Sequence, residues 1–129
     1  MQVRLFRVLA VLSVIALAAT ASAQFGHPLK GTWSGDWGPD AQHRTHVVLE
    51  LNWDGKTLSG IIDPGPDAVP MKTVTLDPSD WKVHIEAEDK KMVHYVIDGT
   101  VENLGAYSRF ISGTWTEGSE KGTFKVTRN

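Results

Sequence analysis

Five histidines, 15 carboxylates and five tryptophans are the side chains of this 129-residue chain that could carry chemistry, and cysteine is absent. Nucleophilic catalysis has no support, because there is neither a thiol nor a Gly-x-Ser-x-Gly elbow. His84 and His94 fall on neighbouring predicted strands and could bind a metal with Glu86, but His84 alternates with apolar residues and should face solvent. His43 and His46 are three positions apart, which puts them on opposite faces of a strand. We therefore predict no metal site, no cofactor and no catalytic residue.

The carboxylates do not form a pair of the kind that acid–base catalysis uses. Those near predicted strands lie on outer positions or at strand ends: Asp36, Glu50, Glu86, Glu88 and Glu102. A phosphate-binding Gly-rich loop is also missing, because such a loop precedes a helix and no helical pattern follows Ala23. We interpret these carboxylates as a solvated surface.

The tryptophans are the strongest candidates for ligand contact. Alternation turns Trp33, Trp53 and Trp81 inward, and Trp37 lies near a rim, since Gly38-Pro39 ends its strand there. The indoles either fill the core or line the mouth of a pocket for an apolar or flat ligand. The predicted ligand-binding residues are Trp37, Leu49, Trp53 and Trp81, with Trp37 the first choice.

The elements that must position these residues are short antiparallel strands. Apolar and polar residues alternate after Ala23, and turn-forming residues interrupt the pattern about every 8–12 positions. Eight strands are predicted: Lys30–Trp37, Thr45–Trp53, Lys56–Ile62, Met71–Leu76, Trp81–Ala87, Met92–Glu102, Ser108–Thr116 and Lys121–Thr127. The links between them are too short for a crossover helix, which favours sequential antiparallel pairing.

Glycines recur inside the predicted strands, at Gly31, Gly60, Gly99, Gly113 and Gly122. Glycine weakens a strand unless the strand bends sharply or lets another backbone approach closely. The sequence therefore predicts an all-β fold, a single eight-stranded, antiparallel, up-and-down β-barrel, with a β-sandwich of the same strands as the alternative. An eight-stranded barrel is either filled by side chains or holds one small ligand.

The N-terminus has the features of a secretory signal peptide. Arg4 and Arg7 precede an apolar run from Val8 to Ala19, and Ala21-Ser22-Ala23 provides small residues for cleavage. The run is shorter than the roughly 20 residues needed to span a bilayer. We predict a cleaved signal peptide over residues 1–23, a barrel domain over 24–129, and export to the periplasm or the extracellular space.

The composition of the predicted mature chain excludes some classes of partner. Loss of Arg4 and Arg7 reduces the 13 basic residues to 11 against 15 acidic ones, a net charge of −4. An acidic surface is unsuited to nucleic acid or anionic lipid. We expect neither nucleic-acid binding nor a membrane-spanning protein, and with no cysteine the domain must depend on packing and sheet closure.

Two sets of residues carry a resemblance to known β-barrels. Gly31-Thr32-Trp33 and Arg128 resemble the calycin superfamily of lipocalins, fatty-acid-binding proteins and avidins, in which the Trp closes one barrel end and a basic side chain packs across its indole. The chain is more closely similar to a lipocalin-like module of secreted bacterial proteins. The matching segments are Asp54-Gly55, Leu58-Ser59-Gly60, Asp63-Pro64-Gly65, Ile111-Ser112-Gly113-Thr114-Trp115 and Thr127-Arg128. The resemblance implies that Trp33 and Arg128 close the barrel; it brings no catalytic residue.

The function expected from these features is binding. The first choice is a module for an apolar or aromatic small ligand, or for a glycan or protein partner. An envelope interaction domain without a ligand and a barrel isomerase or cyclase remain alternatives. Up-and-down topology places the Asp63–Pro70 loop at the same end as Trp37, so we expect that end to be open and the Trp33 end to be plugged.

Overall fold

The structure, a computed structural model, describes residues 26–105 and 108–129. The predicted signal peptide and its cleavage site lie outside these residues. Eight strands follow one another along the chain: β1 Gly31–Gly38, β2 Thr45–Trp53, β3 Leu58–Ile62, β4 Val69–Asp77, β5 Lys82–Glu88, β6 His94–Glu102, β7 Phe110–Glu117 and β8 Glu120–Arg128. Within the described residues no helix is long and apolar enough to cross a membrane.

The strands form one closed antiparallel barrel in sequence order, which confirms the predicted up-and-down barrel rather than a sandwich. β8 returns to β1 and closes the sheet, with Trp33 opposite Arg128 and Trp37 opposite Phe124. Closure pairs both outer strands, so no sheet edge remains unpaired along β1 and β8. We call the end that carries the connections after β1, β3, β5 and β7 the mouth, and the opposite end the base.

The barrel interior is filled by alternate side chains from all eight strands. Val47, Leu49 and Leu51 on β2 are at most 2% exposed, as the alternation predicted. Gly99 leaves room for a large neighbour, because a Cβ there would lie 2.9 Å from Cζ of Phe124. Gly35 lets β8 approach closely, since a Cβ would collide with the carbonyl oxygen of Lys125. The packed side chains therefore occupy the interior along the strands.

Four strands, β3, β4, β6 and β7, begin two residues away from the predicted position. β3 begins at Leu58 rather than Lys56, because Oδ1 of Asp54 accepts the N–H groups of Lys56 and Thr57 and holds them in the turn. β6 begins two residues late, since Met92 has a φ of 64°. β4 extends back to Val69, which puts Pro70 inside a strand.

The contact between β3 and β4 is the shortest in the barrel. Two register pairs join these strands, Ile61 with Pro70 and Ile62 with Val69. Pro70 is the second residue of β4 and has no N–H to donate to a neighbouring strand. Pro is tolerated in sheets near the start of a strand. The connection before it, residues 63–68, therefore leaves the sheet at the mouth.

Candidate functional site

A cavity of about 560 Å³ opens at the mouth of the barrel. Its lining comes from strand ends and from the β3–β4, β5–β6 and β7–β8 connections. The lining residues are Trp37, Thr45, Ile62, Asp63, Asp67, Ala68, Val69, Asp89, Lys90, Lys91, Tyr95, Trp115, Glu117 and Glu120. The volume lies within the range of about 300–1,000 Å³ that is usual for small-molecule sites.

The floor of this cavity is a cluster of aromatic rings. Trp37 on β1 and Trp115 on β7 are stacked, with ring centroids 5.5 Å apart and an interplanar angle of 16°. Tyr95 on β6 meets Trp115 edge-on at 6.4 Å, and Phe124 supports Trp115 from the interior at 5.8 Å. Aromatic pairs in these geometries contribute about 0.5–1.5 kcal/mol beyond their buried area. The floor is therefore a rigid apolar surface.

The rim above the floor is acidic. Five carboxylates line the cavity against the two ammonium groups of Lys90 and Lys91. Asp89 is fixed by its own hairpin, because its Oδ1 accepts the N–H groups of Lys91 at 2.8 Å and Val93 at 3.0 Å. Asp63 is fixed by β2, since its Oδ1 accepts the N–H of Val48 at 2.9 Å. These bonds hold the two carboxylates at set positions on the rim.

Two groups between rim and floor have shifted pKa values. Burial raises the pKa of Glu117, and the carboxylates of Glu120, Asp89 and Asp63 raise it further, although the indole N–H of Trp115 donates to Glu117 at 3.4 Å and opposes the shift. Burial raises the pKa of Tyr95 to about 12, so its phenol stays protonated and donates to Asp89 at 3.4 Å. Glu117 is therefore the acid of the mouth that holds its proton to higher pH than an ordinary glutamate.

The four residues predicted to bind ligand do not share one site. Trp37 lines the mouth cavity. Leu49 is fully buried in the barrel interior. Trp53 and Trp81 lie at the base, where Trp53 packs against the ring of His27 at 4.6 Å and Trp81 lines a separate cavity. Trp53 is the last residue of β2, and Trp81 precedes β5 with a φ of 60°. Both therefore lie at the opposite end of the barrel from Trp37.

The base is closed by the segment that precedes β1. Leu29 is fully buried, and its carbonyl oxygen accepts the indole N–H of Trp33 at 2.8 Å. Trp33 and Arg128 are register partners, but the aliphatic carbons of Arg128 lie over Gly31, where a Cβ would be 3.0 Å from Cδ of Arg128. The cation–π contact found in the described residues joins Lys125 to Phe110 instead. Leu29 and Trp33 are thus both fully buried at the base, and Arg128 is the register partner of Trp33.

The histidines are separated along the outer wall. His84 faces Asp98 across β5 and β6, whereas His94 faces Glu88. Nδ1 of His84 contacts Asp98 and its Nε2 contacts Glu86 at 3.1 Å. Within residues 26–105 and 108–129 no group of three or more His, Asp or Glu is arranged to hold a metal ion.

Trp115 and Tyr95 are the mouth residues that the sequence interpretation missed. Both follow the period-2 pattern, since Trp115 shares a face with Ile111 and Tyr95 shares one with Ile97, and all four are buried. Extending the alternation to β6 and β7 would have identified them. Comparisons of the chain with protein-family models, with curated proteins and with solved structures gave no match.

Proposed function

We propose that this protein is a binding module that holds a small ligand with a flat apolar part in the mouth cavity. The observation that carries the proposal is the cavity of about 560 Å³ above the stacked pair Trp37 and Trp115. A preformed aromatic surface binds flat molecules at low entropic cost, because its side chains are already ordered.

The filled interior supports a shallow site. Trp37 is 6% exposed and Trp115 is 1% exposed, so each contributes an edge or part of a face to the floor rather than a deep slot. A ligand would lie across the floor and be surrounded by the connections of the mouth. Such a site suits a compact ring system better than a long alkyl chain, which would need a hollow barrel.

The charge of the rim supports a preference among ligands. Five carboxylates and two lysines give the lining a net charge of −3. A positively charged ligand would relieve the mutual repulsion of these carboxylates, whereas an anion would increase it. A ring system that carries an amine is therefore the best match to the mouth.

The test uses the indole N–H signals of the five tryptophans in a proton–nitrogen NMR spectrum as reporters. On titration with 1-naphthylmethylamine, the Trp37 and Trp115 signals are expected to shift while that of Trp53 at the base stays in place. Trp37→Ala should weaken binding about tenfold through the lost ring contact, equivalent to about 1.4 kcal/mol. Trp53→Ala removes the same side chain from the base and should bind normally.

The neutral 1-naphthylmethanol separates the cavity from its charge. Weaker binding of the alcohol than of the amine at the same signals would support the role of the rim. Equal affinity of Trp37→Ala and wild type, or shifts confined to the base, would rule out the mouth as the site.

A further inference from the structure

A second cavity, of about 430 Å³, lies at the base and is separate from the mouth. It is lined by Gly26, His27, Pro28, Trp81, Leu104, Arg109 and Arg128. The two arginines come from the start and the end of the β7–β8 hairpin, and Trp81 comes from the β4–β5 connection. Chain closure therefore brings two guanidinium groups and one indole to a single opening.

Among the described residues, the two guanidinium groups have no acidic partner. Arg109 donates to the carbonyl oxygens of Pro28 at 2.8 Å and Leu104 at 2.7 Å, and Arg128 donates to Pro28 at 3.4 Å. In the described part of the chain no carboxylate lies within 4.0 Å of either residue. The remaining residues, 1–25 with Ala106 and Tyr107, contain no Asp or Glu.

Arg44 provides a contrast, because its guanidinium group is paired with a carboxylate. Its Nε and Nη2 both donate to Oδ1 of Asp36, at 3.0 and 2.7 Å. Arg44 is thus neutralised by a carboxylate of its own neighbourhood. Arg109 and Arg128 differ from Arg44, because backbone carbonyl oxygens accept some of their hydrogen bonds but do not neutralise their positive charge.

Burial and a neighbouring positive charge both disfavour the charged guanidinium group of Arg109. Nε of Arg109 is buried and has no hydrogen-bond partner among the described residues. Burial lowers the pKa of Arg109, and the nearby Arg128 lowers it further, yet a guanidinium stays protonated at any ordinary pH. Burial also lowers the pKa of His27, so the imidazole in this cavity favours its neutral form near pH 7.

We propose that the base cavity binds an organic anion, with its oxyanion group between Arg109 and Arg128 and its apolar part against Trp81 and Leu104. A carboxylate, phosphate or sulfonate oxygen would accept charge-assisted hydrogen bonds from donors that the carbonyl oxygens leave free. It would also remove the repulsion between the two guanidinium groups. The half-buried indole of Trp81 provides a flat surface beside the charge.

The experiment compares three aromatic anions with a neutral analogue of the same ring. The purified full chain is titrated with 1-naphthoate, 1-naphthyl phosphate, 1-naphthalenesulfonate and 1-naphthol while the indole N–H signals and the heat of binding are recorded. At least one anion is expected to shift the Trp81 signal and to bind at least tenfold more tightly than 1-naphthol. The anion that binds most tightly identifies the oxyanion that the site prefers.

Matched variants locate the charge. Arg128→Gln should weaken anion binding at least tenfold and leave 1-naphthol unaffected, while Arg109→Lys, which keeps the charge, should retain part of the affinity. Lys56→Gln removes an exposed positive charge from a base turn outside the cavity and should change nothing. If Arg109→Gln fails to fold because two carbonyl oxygens lose their donors, Arg128→Gln still decides the matter.

The outcome is independent of the mouth. Anion binding is read from the Trp81 signal at the base, whereas the mouth is read from the Trp37 and Trp115 signals, so failure of the proposed mouth site would not affect this result. Anions that bind no better than 1-naphthol, or unchanged affinity in Arg128→Gln, would overturn the anion site.

Discussion

The two ends of this barrel are built from the same alternating strands but are finished differently. At the base, Leu29 is fully buried and accepts the indole N–H of Trp33 through its carbonyl oxygen, so the chain itself closes the barrel. At the mouth, Trp37 and Trp115 also form a closed layer, but none of the segments that the structure describes covers them and a cavity remains above. The difference shows that the connections, not the strands, decide which end is open.

The ends also differ in the sign of their charge. The mouth cavity is lined by five carboxylates and two lysines, whereas the described lining of the base cavity has two arginines and no carboxylate. Opposite charges at the two ends of a small barrel would direct ligands of opposite charge to different openings. Substitutions of Leu29, Glu117 and His84 test this contrast between the two ends.

Removal of the base plug should cost the most stability. Leu29 lies outside every strand, yet its side chain is fully buried in the core. Leu29→Ala should lower the free energy of unfolding by about 2–5 kcal/mol, because it removes buried apolar contacts and leaves a cavity. Urea denaturation followed by tryptophan fluorescence measures this change.

A variant of the mouth provides the control. Met92 lies in the β5–β6 connection and is 73% exposed. Met92→Ala should change the free energy of unfolding by less than about 0.5 kcal/mol, since an exposed side chain loses few contacts. If Leu29→Ala cost as little as Met92→Ala, the segment before β1 would not be part of the core, and the contrast between a plugged and an open end would fail.

The positions of the predicted core and ligand-binding residues show what the sequence can and cannot predict. A period of two identifies the inward face of a strand, which is why the strands, the barrel closure and the burial of Leu49 and Trp33 were predictable. Height along the barrel depends instead on strand direction, which placed Trp53 and Trp81 at the base, away from Trp37. Leu29 had no signal at all, because a single apolar residue before the first strand has no periodicity.

The cavities depend on features that pattern analysis does not reach. The rim of the mouth needs Asp63 and Asp89 to be held by backbone N–H groups of Val48, Lys91 and Val93. A period of two carries no information on these hydrogen bonds. The charge of each end therefore became visible only once the connections were placed together.

Neutralising Glu117 should remove electrostatic repulsion among the carboxylates of the mouth. Burial and neighbouring carboxylates raise the pKa of Glu117 in the folded state. The favourable contribution of its protonated form is complete below the unfolded value of 4.5 and is lost as the pH rises through the raised folded pKa. Glu117→Gln should therefore be more stable than wild type at pH 7 and similar to it near pH 4.

The measurement is urea denaturation across this pH range, with Glu50→Gln as the control. Glu50 is exposed on β2, outside the mouth cavity, so its substitution removes the same charge from the wall. A stabilisation at pH 7 that Glu50→Gln reproduces would reflect net charge alone, and the special acidity of the mouth would be discarded.

The smallest effect belongs to the wall between the two ends. The carboxylate of Asp98, and then that of Glu86, raises the pKa of His84 by bonding to its ring. The resulting stabilisation is complete below the unfolded value of 6.5 and is lost as the pH rises through the raised folded pKa. Because the His84 side chain is 39% exposed, this contribution should stay below about 1 kcal/mol.

His84→Gln should therefore remove part of the decline in unfolding free energy above pH 6.5, whereas Glu117→Gln should act on the decline that begins near pH 4.5. Glu117 and His84 lose their stabilising forms in the same direction, so the window of each variant separates the mouth from the wall. His46→Gln, an exposed histidine on β2, serves as the control. If His84→Gln flattened the profile below pH 6.5 as well, the outer wall rather than Glu117 at the mouth would be the source of that pH dependence.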